Sequence, residues 1–154
     1  MTDTIDSRLA ALGVVLPSPA APAANYVPCV TTGNLLFVSG QLPIGAKGIE
    51  VVGKLGAGVS SDDGRAAARL CAINVLAQAR AALGDLERIV RVVKLVGFVN
   101  CTGDFADQPK VVNGASDFLV DALGERGRHA RSAVGVASLP FGAAVEVEAI
   151  LEIA

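Results

Sequence analysis

The run Ile89-Val90-Arg91-Val92-Val93-Lys94-Leu95-Val96-Gly97-Phe98-Val99 is dominated by β-branched side chains and contains no proline, which makes it a strand. Alternation divides it into Val90, Val92, Val96 and Phe98 on one side and Val93, Leu95 and Val99 on the other. Both sides are apolar. A strand of this kind lies inside a sheet, and each face needs a cover.

The flanking sequence supplies one cover. Upstream, Ser60-Ser61-Asp62-Asp63 is a helix N-cap region, and a helix follows to about Leu83 with Gly84 as its stop. Helical spacing puts Ala66, Leu70, Ile73, Ala77 and Ala81 on one of its faces. Downstream, Phe105 to Pro109 reads as loop, with Pro109 in the first turn of a second helix that ends at Gly124. That helix carries Val112, Ala115, Phe118, Leu119 and Ala122. Further out, Tyr26 to Val30 is extended, Thr32-Gly33-Asn34 is a turn, and Leu35 to Val38 is a buried strand. Residues 43–58 are a glycine-rich loop with room for a short edge strand. Residues 131–138 and 144–153 are the last two strands, joined around Leu139-Pro140-Phe141-Gly142. At the N-terminus, Ile5, Leu9 and Leu12 mark a short helix that stops at Gly13, and residues 16–25 form a proline-rich extended segment. The expectation is one α+β domain over residues 1–154, with residues 1–23 as its N-terminal helix and Pro/Ala-rich segment. Its core is a mixed sheet of about five or six strands with two main helices on one face.

Two helices on one face leave the other bare. An apolar strand there exposes more than the few hundred Å2 that soluble monomers tolerate, so self-association is expected.

Composition narrows the partners. The 154 residues carry 13 Lys and Arg against 15 Asp and Glu, a net charge of -2, which argues against a nucleic-acid partner. No apolar run reaches the length of about 18 residues needed to span a membrane. The start, Met1 to Gly13, is acidic and unlike a signal peptide, so the cytoplasm is expected. Cys29, Cys71 and Cys101 fit neither a disulfide framework nor a zinc site and are expected to be reduced, mostly buried thiols.

Two segments carry candidate chemistry. Arg126-Gly127-Arg128-His129-Ala130-Arg131 is either a solvated basic turn or an anion site. Arg131 stands apart because it begins a strand, where packing can fix its guanidinium. The planar fork then matches a carboxylate in two hydrogen bonds, expected through both terminal nitrogens. In Val145-Glu146-Val147-Glu148-Ala149-Ile150-Leu151-Glu152-Ile153, alternation puts Val145, Val147, Ala149, Leu151 and Ile153 on one face. Glu146, Glu148 and Glu152 share the other with Ile150. Either this is an acidic solvent face, or a carboxylate there has a job; Glu146 is placed to position or deprotonate a water. His129, the single histidine, is expected in a surface or hydrogen-bonded structural role, and it makes no metal site. The glycine-rich loop lacks the spacing and lysine of a P-loop, and no Ser/His/Asp set stands at a recognisable spacing.

The segment Phe37-Val38-Ser39-Gly40-Gln41-Leu42-Pro43, with Asn25-Tyr26-Val27, Asn74-Val75, Ala130-Arg131-Ser132, Val134, Leu139-Pro140 and Val145-Glu146-Val147-Glu148-Ala149, resembles the Rid/YjgF family over about residues 24–154. The N-terminal helix and residues 107–114 resemble a longer branch of it. The resemblance implies a chorismate-mutase-like subunit and a homotrimer with three clefts between neighbours. It implies that Arg131 binds the carboxylate of 2-iminopropanoate or its enamine, 2-aminoacrylate. The backbone around Ala133 then faces the imine, Glu146 holds the attacking water, and Tyr26 and Ser39 line the pocket. The products are a 2-keto acid and ammonia, with no metal or cofactor. Many members carry Cys where this chain has Ala133, whose backbone still serves. Three functions stay open on the sequence: an imine/enamine hydrolase, a non-catalytic trimer binding small carboxylates, and an RNA-acting protein of the endoribonuclease or translation-inhibitor type.

Overall fold

The structure, a computed structural model, describes residues 2–19, 22 and 24–154. In chain order it contains α1 (Ile5–Ala11), β1 (Cys29–Thr32), β2 (Leu35–Gln41), the short pairs β3 (Ile44–Gly45) with β4 (Gly48–Ile49) and β5 (Lys54–Leu55) with β6 (Gly58–Val59), then α2 (Ser61–Leu83), β7 (Ile89–Asn100), α3 (Gln108–Leu123), β8 (Ala130–Val136) and β9 (Val145–Ile153). The glycine-rich stretch, expected as loop with room for a short edge strand, carries two minimal strand pairs.

The main sheet runs β1-β2-β9-β7-β8, and only the β7–β8 pair is parallel. α3 is the crossover that a parallel pair requires. It and α2 pack against each other and against the same face of the sheet. The class is α+β with a mixed sheet, as expected. β9 alternates as its sequence dictates: Val145, Val147, Ala149, Leu151 and Ile153 are buried under the helices, while the residues between them are half-buried on the open face.

The two sides of β7 differ from the alternation read off its sequence. Val92 sits under the helices with Leu95 and Val99, not beside Val96 and Phe98. The register against β9 shifts between Ile89 and Arg91 and again between Val92 and Lys94. Each irregularity breaks strict alternation, and the sequence carries no mark of it. Downstream, Lys94, Val96 and Phe98 point to the open face.

The face of α2 also differs from expectation. Ile73 and Ala77 are buried as expected, and with them Gly64, Ala67, Ala68, Cys71, Ala72, Val75, Leu76 and Ala79, whereas Ala66 and Ala81 are exposed and Leu70 is half-buried. In an alanine-rich helix the apolar contrast is weak, and the smallest residues decide which side approaches. A Cβ on Gly64 would lie 3.0 Å from Leu55 Cδ1, and one on Gly114 of α3 would lie 2.0 Å from the Arg65 carbonyl oxygen. The two helices therefore meet at a separation only glycine allows. Gly97 plays the same part under α3, where a Cβ would lie 2.5 Å from Val112 Cγ2. The face expected for α3 holds: Val112, Ala115, Phe118, Leu119 and Ala122 are all buried. α1 packs onto α3, buries Ile5 and Leu9, and is closed by a capping box in which Thr4 Oγ1 accepts from the Ser7 N–H.

The opposite sheet face has no cover among the described residues. Val30 is 52% exposed, Phe37 41% and Val134 43%. Together with Val96, Phe98 and Ile150 they make a continuous apolar surface. Val27, Ser39 and Glu148 line a groove across part of it.

The irregularity in β7 gives a direct test. Leu95→Ala empties a fully buried site and is expected to lower the unfolding free energy by about 2–5 kcal/mol. Val93→Ala, on the exposed side, is expected to cost under about 1 kcal/mol. Urea unfolding of both variants checks this, and equal losses would mean that the two side chains are equally buried.

Candidate functional site

The basic turn between α3 and β8 is less free than its charge suggests. Arg126 pairs with Glu87 at 3.1 Å and Arg128 with Glu125 at 3.1 Å. Arg131 differs. Its register opposite Leu95 places it on the helix side of β8, an edge strand. There Nη1 donates to Asn113 Oδ1 at 2.8 Å and to Ser116 Oγ at 3.2 Å. Asn113 and Ser116 stand three residues apart on α3 and so present to the same strand. Both acceptors are neutral, and among the described residues Arg131 makes no ion pair. Its charge is held in place without being neutralised.

This geometry changes which edge can receive a ligand. Nη1 has two protons, and both are engaged. The Nε–Nη2 edge has no acceptor among the described residues, whereas a contact through both terminal nitrogens would share Nη1 with Asn113 and Ser116.

Ser116 Oγ lies 2.9 Å from His129 Nε2, and His129 Nδ1 lies 2.6 Å from the Gly127 carbonyl oxygen. Burial lowers the His129 pKa most, the Gly127 contact opposes this, and the Arg131 charge lowers it further. The net effect favours the neutral ring.

Glu146 stands on the other side of the sheet. It pairs with Phe98 in register, and its carboxyl group covers Gly40, where a Cβ would meet Glu146 Cδ at 2.8 Å. Its pKa is pushed up, chiefly by burial and then by the neighbouring Glu148. No side-chain hydrogen bond holds it among the described residues. Ser39 is half-buried on the same face, its N–H donating to the Pro28 carbonyl at 2.9 Å. Tyr26, just before Pro28, is 55% exposed. Ala133, two residues beyond Arg131, shares its side of β8.

The candidate residues thus fall into two separate groups. Arg131 and Ala133 face one way from the edge strand; Ser39 and Glu146 face the other way from the open sheet. Asn113 and Ser116 were not singled out from the sequence. The signal was present in Val112-Asn113-Gly114-Ala115-Ser116, where polar residues adjoin the buried stripe of a helix, but only the fold aims them at Arg131.

Other reactive groups are engaged or screened. Lys54 Nζ donates to Asn100 Oδ1 at 2.8 Å and to the Ala137 carbonyl. Cys71 is fully buried, and burial raises its thiol pKa well above the ordinary range. All three cysteines are free. Among the described residues no group of three His, Cys, Asp or Glu side chains is arranged to hold a metal, and no helix is long and apolar enough to cross a membrane.

A family described as "YjgF/chorismate_mutase-like, putative endoribonuclease" matches residues 6–152. The chain belongs to this family. It is 54% identical to Protein TCP17 of Trypanosoma cruzi, over 97% of this chain and 94% of that protein. The crystal structure of Agrobacterium tumefaciens Atu1372, a protein of unknown function, shares 53% identity and a TM-score of 0.93, over 99% of this chain and 94% of that one. Escherichia coli TdcF, solved with bound serine, shares 26% identity and a TM-score of 0.65, over 89% of this chain and 94% of that one.

The raised pKa of Glu146 has a thermodynamic consequence. The folded carboxyl holds its proton more tightly than the unfolded one. The stability this contributes is present below the ordinary glutamate pKa and is lost as pH rises through the raised value. Glu146→Gln removes the buried charge and is expected to melt above the parent at about pH 7, with the difference vanishing below about pH 4. Thermal unfolding across that range checks it. A glutamine variant less stable than the parent at neutral pH would show a carboxylate that is paired instead.

Proposed function

We propose that this protein hydrolyses small carboxylate-bearing imines and enamines, such as 2-iminopropanoate and 2-aminoacrylate, to the 2-keto acid and ammonia. The site is a cleft between copies of the chain, most simply three in a closed ring. The observation that carries this reading is Arg131: a half-buried guanidinium, clamped through Nη1 by neutral acceptors, with one edge open and no counter-ion among the described residues. A cation held in this way is completed by an anion from outside the chain. The serine bound to TdcF, which carries a carboxylate, is a ligand of that class.

In this reading Arg131 of one copy takes the carboxylate, and the backbone at Ala133, on the same edge strand, faces the imine nitrogen. Glu146 of a neighbour supplies the base. Burial and the neighbouring Glu148 push its pKa up, which makes it a stronger base than an ordinary glutamate. It takes a proton from water as the oxygen attacks the imine carbon. That proton passes to the imine nitrogen to complete the carbinolamine, whose hydroxyl proton then moves through Glu146 to the same nitrogen as the C–N bond breaks, the carbonyl forms and ammonia leaves. An enamine first gains a proton at carbon to become the imine. Tyr26 and Ser39 line the neighbour's side. The apolar open face is the surface through which copies associate. No step in this scheme requires a metal or cofactor.

The net charge of -2 opposes phosphate and therefore the RNA-acting reading; on the open face Glu152 is paired with Arg91 at 2.9 Å, but Glu146 and Glu148 make no ion pair among the described residues. A carboxylate-binding assembly without catalysis differs only at the water, and Glu146→Gln distinguishes it.

Ammonia release from 2-aminoacrylate generated in situ is the test. Glu146→Gln is expected to lower the rate by about 10²–10⁴-fold while pyruvate still binds. Arg131→Ala is expected to weaken pyruvate binding by at least about tenfold, and Arg131→Lys to fail to restore it, because an ammonium lacks the planar fork. Pyruvamide, lacking the charge, binds weakly throughout. Equal pyruvate affinity in the parent and Arg131→Ala would sink the assignment.

A further inference from the structure

His129 belongs to a chain of hydrogen bonds whose direction is fixed by its ends. The Gly127 carbonyl can only accept, so the 2.6 Å contact makes His129 Nδ1 the donor. In a neutral ring Nε2 is then the acceptor, and across 2.9 Å the Ser116 hydroxyl must donate to it. That leaves the Ser116 oxygen lone pairs for the second proton of Arg131 Nη1, at 3.2 Å. Were the ring turned to the other tautomer, Nδ1 would have no proton for Gly127 and the Ser116 hydroxyl would lose its acceptor.

We propose that His129 is a positioning residue for the ligand carboxylate: through Ser116, its neutral imidazole holds Arg131 with the Nε–Nη2 edge facing outward. This rests on the reading of Arg131 as the carboxylate-binding group. Asn113 alone fixes one proton of Nη1, and the guanidinium can still swing about that single bond. The second contact, kept in place by the ring, removes the swing. The arrangement also brings no negative charge near Arg131, so its attraction for an anion is undiminished, which a carboxylate in place of Ser116 would not achieve.

Charging the imidazole disrupts this chain. Nε2 then becomes a donor, the Ser116 hydroxyl proton loses its acceptor, and a second cation stands across one hydroxyl from Arg131. The charged groups on the surrounding elements are Glu125, Arg126 and Arg128 in the turn, Asp117 and Asp121 on α3, Lys94 on the adjoining β7, and Arg131 itself. Glu125 is paired with Arg128, Arg126 with Glu87, and Asp117 with Arg65 at 3.4 Å. Arg131 is the one charge among them whose field lowers the His129 pKa.

The chain has one histidine, so its imidazole signals in an NMR titration are unambiguous. Nitrogen-15 shifts are expected to show the Nδ1–H tautomer, and Arg131→Ala is expected to raise the His129 pKa. Pyruvate binding by calorimetry supplies the second readout. Ser116→Ala and His129→Asn are each expected to weaken it by about two- to tenfold, the effect of one net hydrogen bond. The double variant is expected to be no weaker than Ser116→Ala alone, because both changes break one chain. His129→Gln, whose amide oxygen reaches the Nε2 position, is expected to restore most of what asparagine loses, and to remove the fall in affinity that the parent shows as pH drops through the His129 pKa. An Nε2–H tautomer, additive losses in the double variant, or glutamine no better than asparagine would overturn the proposal. Pyruvate affinity unchanged by Arg131→Ala would fail differently. It would remove the ligand reading and His129's part in it, while the imidazole signals would still report the hydrogen-bond chain.

Discussion

A sheet has two faces, and α2 and α3 cover only one of them. The covered face sets the fold: Gly64, Gly97 and Gly114 let two helices and five strands close to contact distance, and the aliphatic stripe of β9 fills the space between. The bare face exposes Val30, Phe37 and Val134 beside half-buried Val96, Phe98 and Ile150, and it carries Glu146 in an apolar surround that raises its pKa. Water is a poor neighbour for such a surface. On the proposed function, further copies of the chain cover it and in doing so bring Glu146 to the substrate held by a neighbour's Arg131.

The two functional groups are built in opposite ways. Arg131 sits on an edge strand, held by side chains of the helix that precedes it, with its charge left open. Glu146 sits in a central strand over a glycine, with nothing holding it among the described residues and its charge disfavoured. The first arrangement gives precise placement of an anion; the second gives a base that gains from taking a proton. On the proposed function, association between copies offsets the cost of both.

Much of this is legible in the sequence, and the departures have physical causes. The alternation of Val145 to Ile153 and the helical stripe of Val112, Ala115, Phe118, Leu119 and Ala122 survive folding because each contrasts large apolar residues with polar ones. The buried face of α2 is only partly visible: Ile73 and Ala77 are buried as the pattern expects, but Leu70 draws the expected stripe away from Gly64 and the alanines, the small residues that can approach another element closely. The sides of β7 are hidden because its register shifts invert the side-chain pattern without any residue to announce them. Among the site residues, Arg131 and Glu146 are visible as a strand-start arginine and an alternating glutamate within a family resemblance. Asn113 and Ser116 are not, since their meaning depends on the crossover that lays α3 along β8. Nor is the open edge of Arg131, which follows from counting the protons on Nη1.

The central claim is that Arg131 and Glu146 act together although one chain turns them to opposite faces of its sheet. Co-expressing Arg131→Ala chains with Glu146→Gln chains tests it most directly. Each variant alone lacks one half of every site. In mixed assemblies, an intact arginine from one chain meets an intact glutamate from another. Imine hydrolysis is predicted to return in the mixture. A mixture as inactive as its parents, with mixed assemblies shown to form, would contradict the claim.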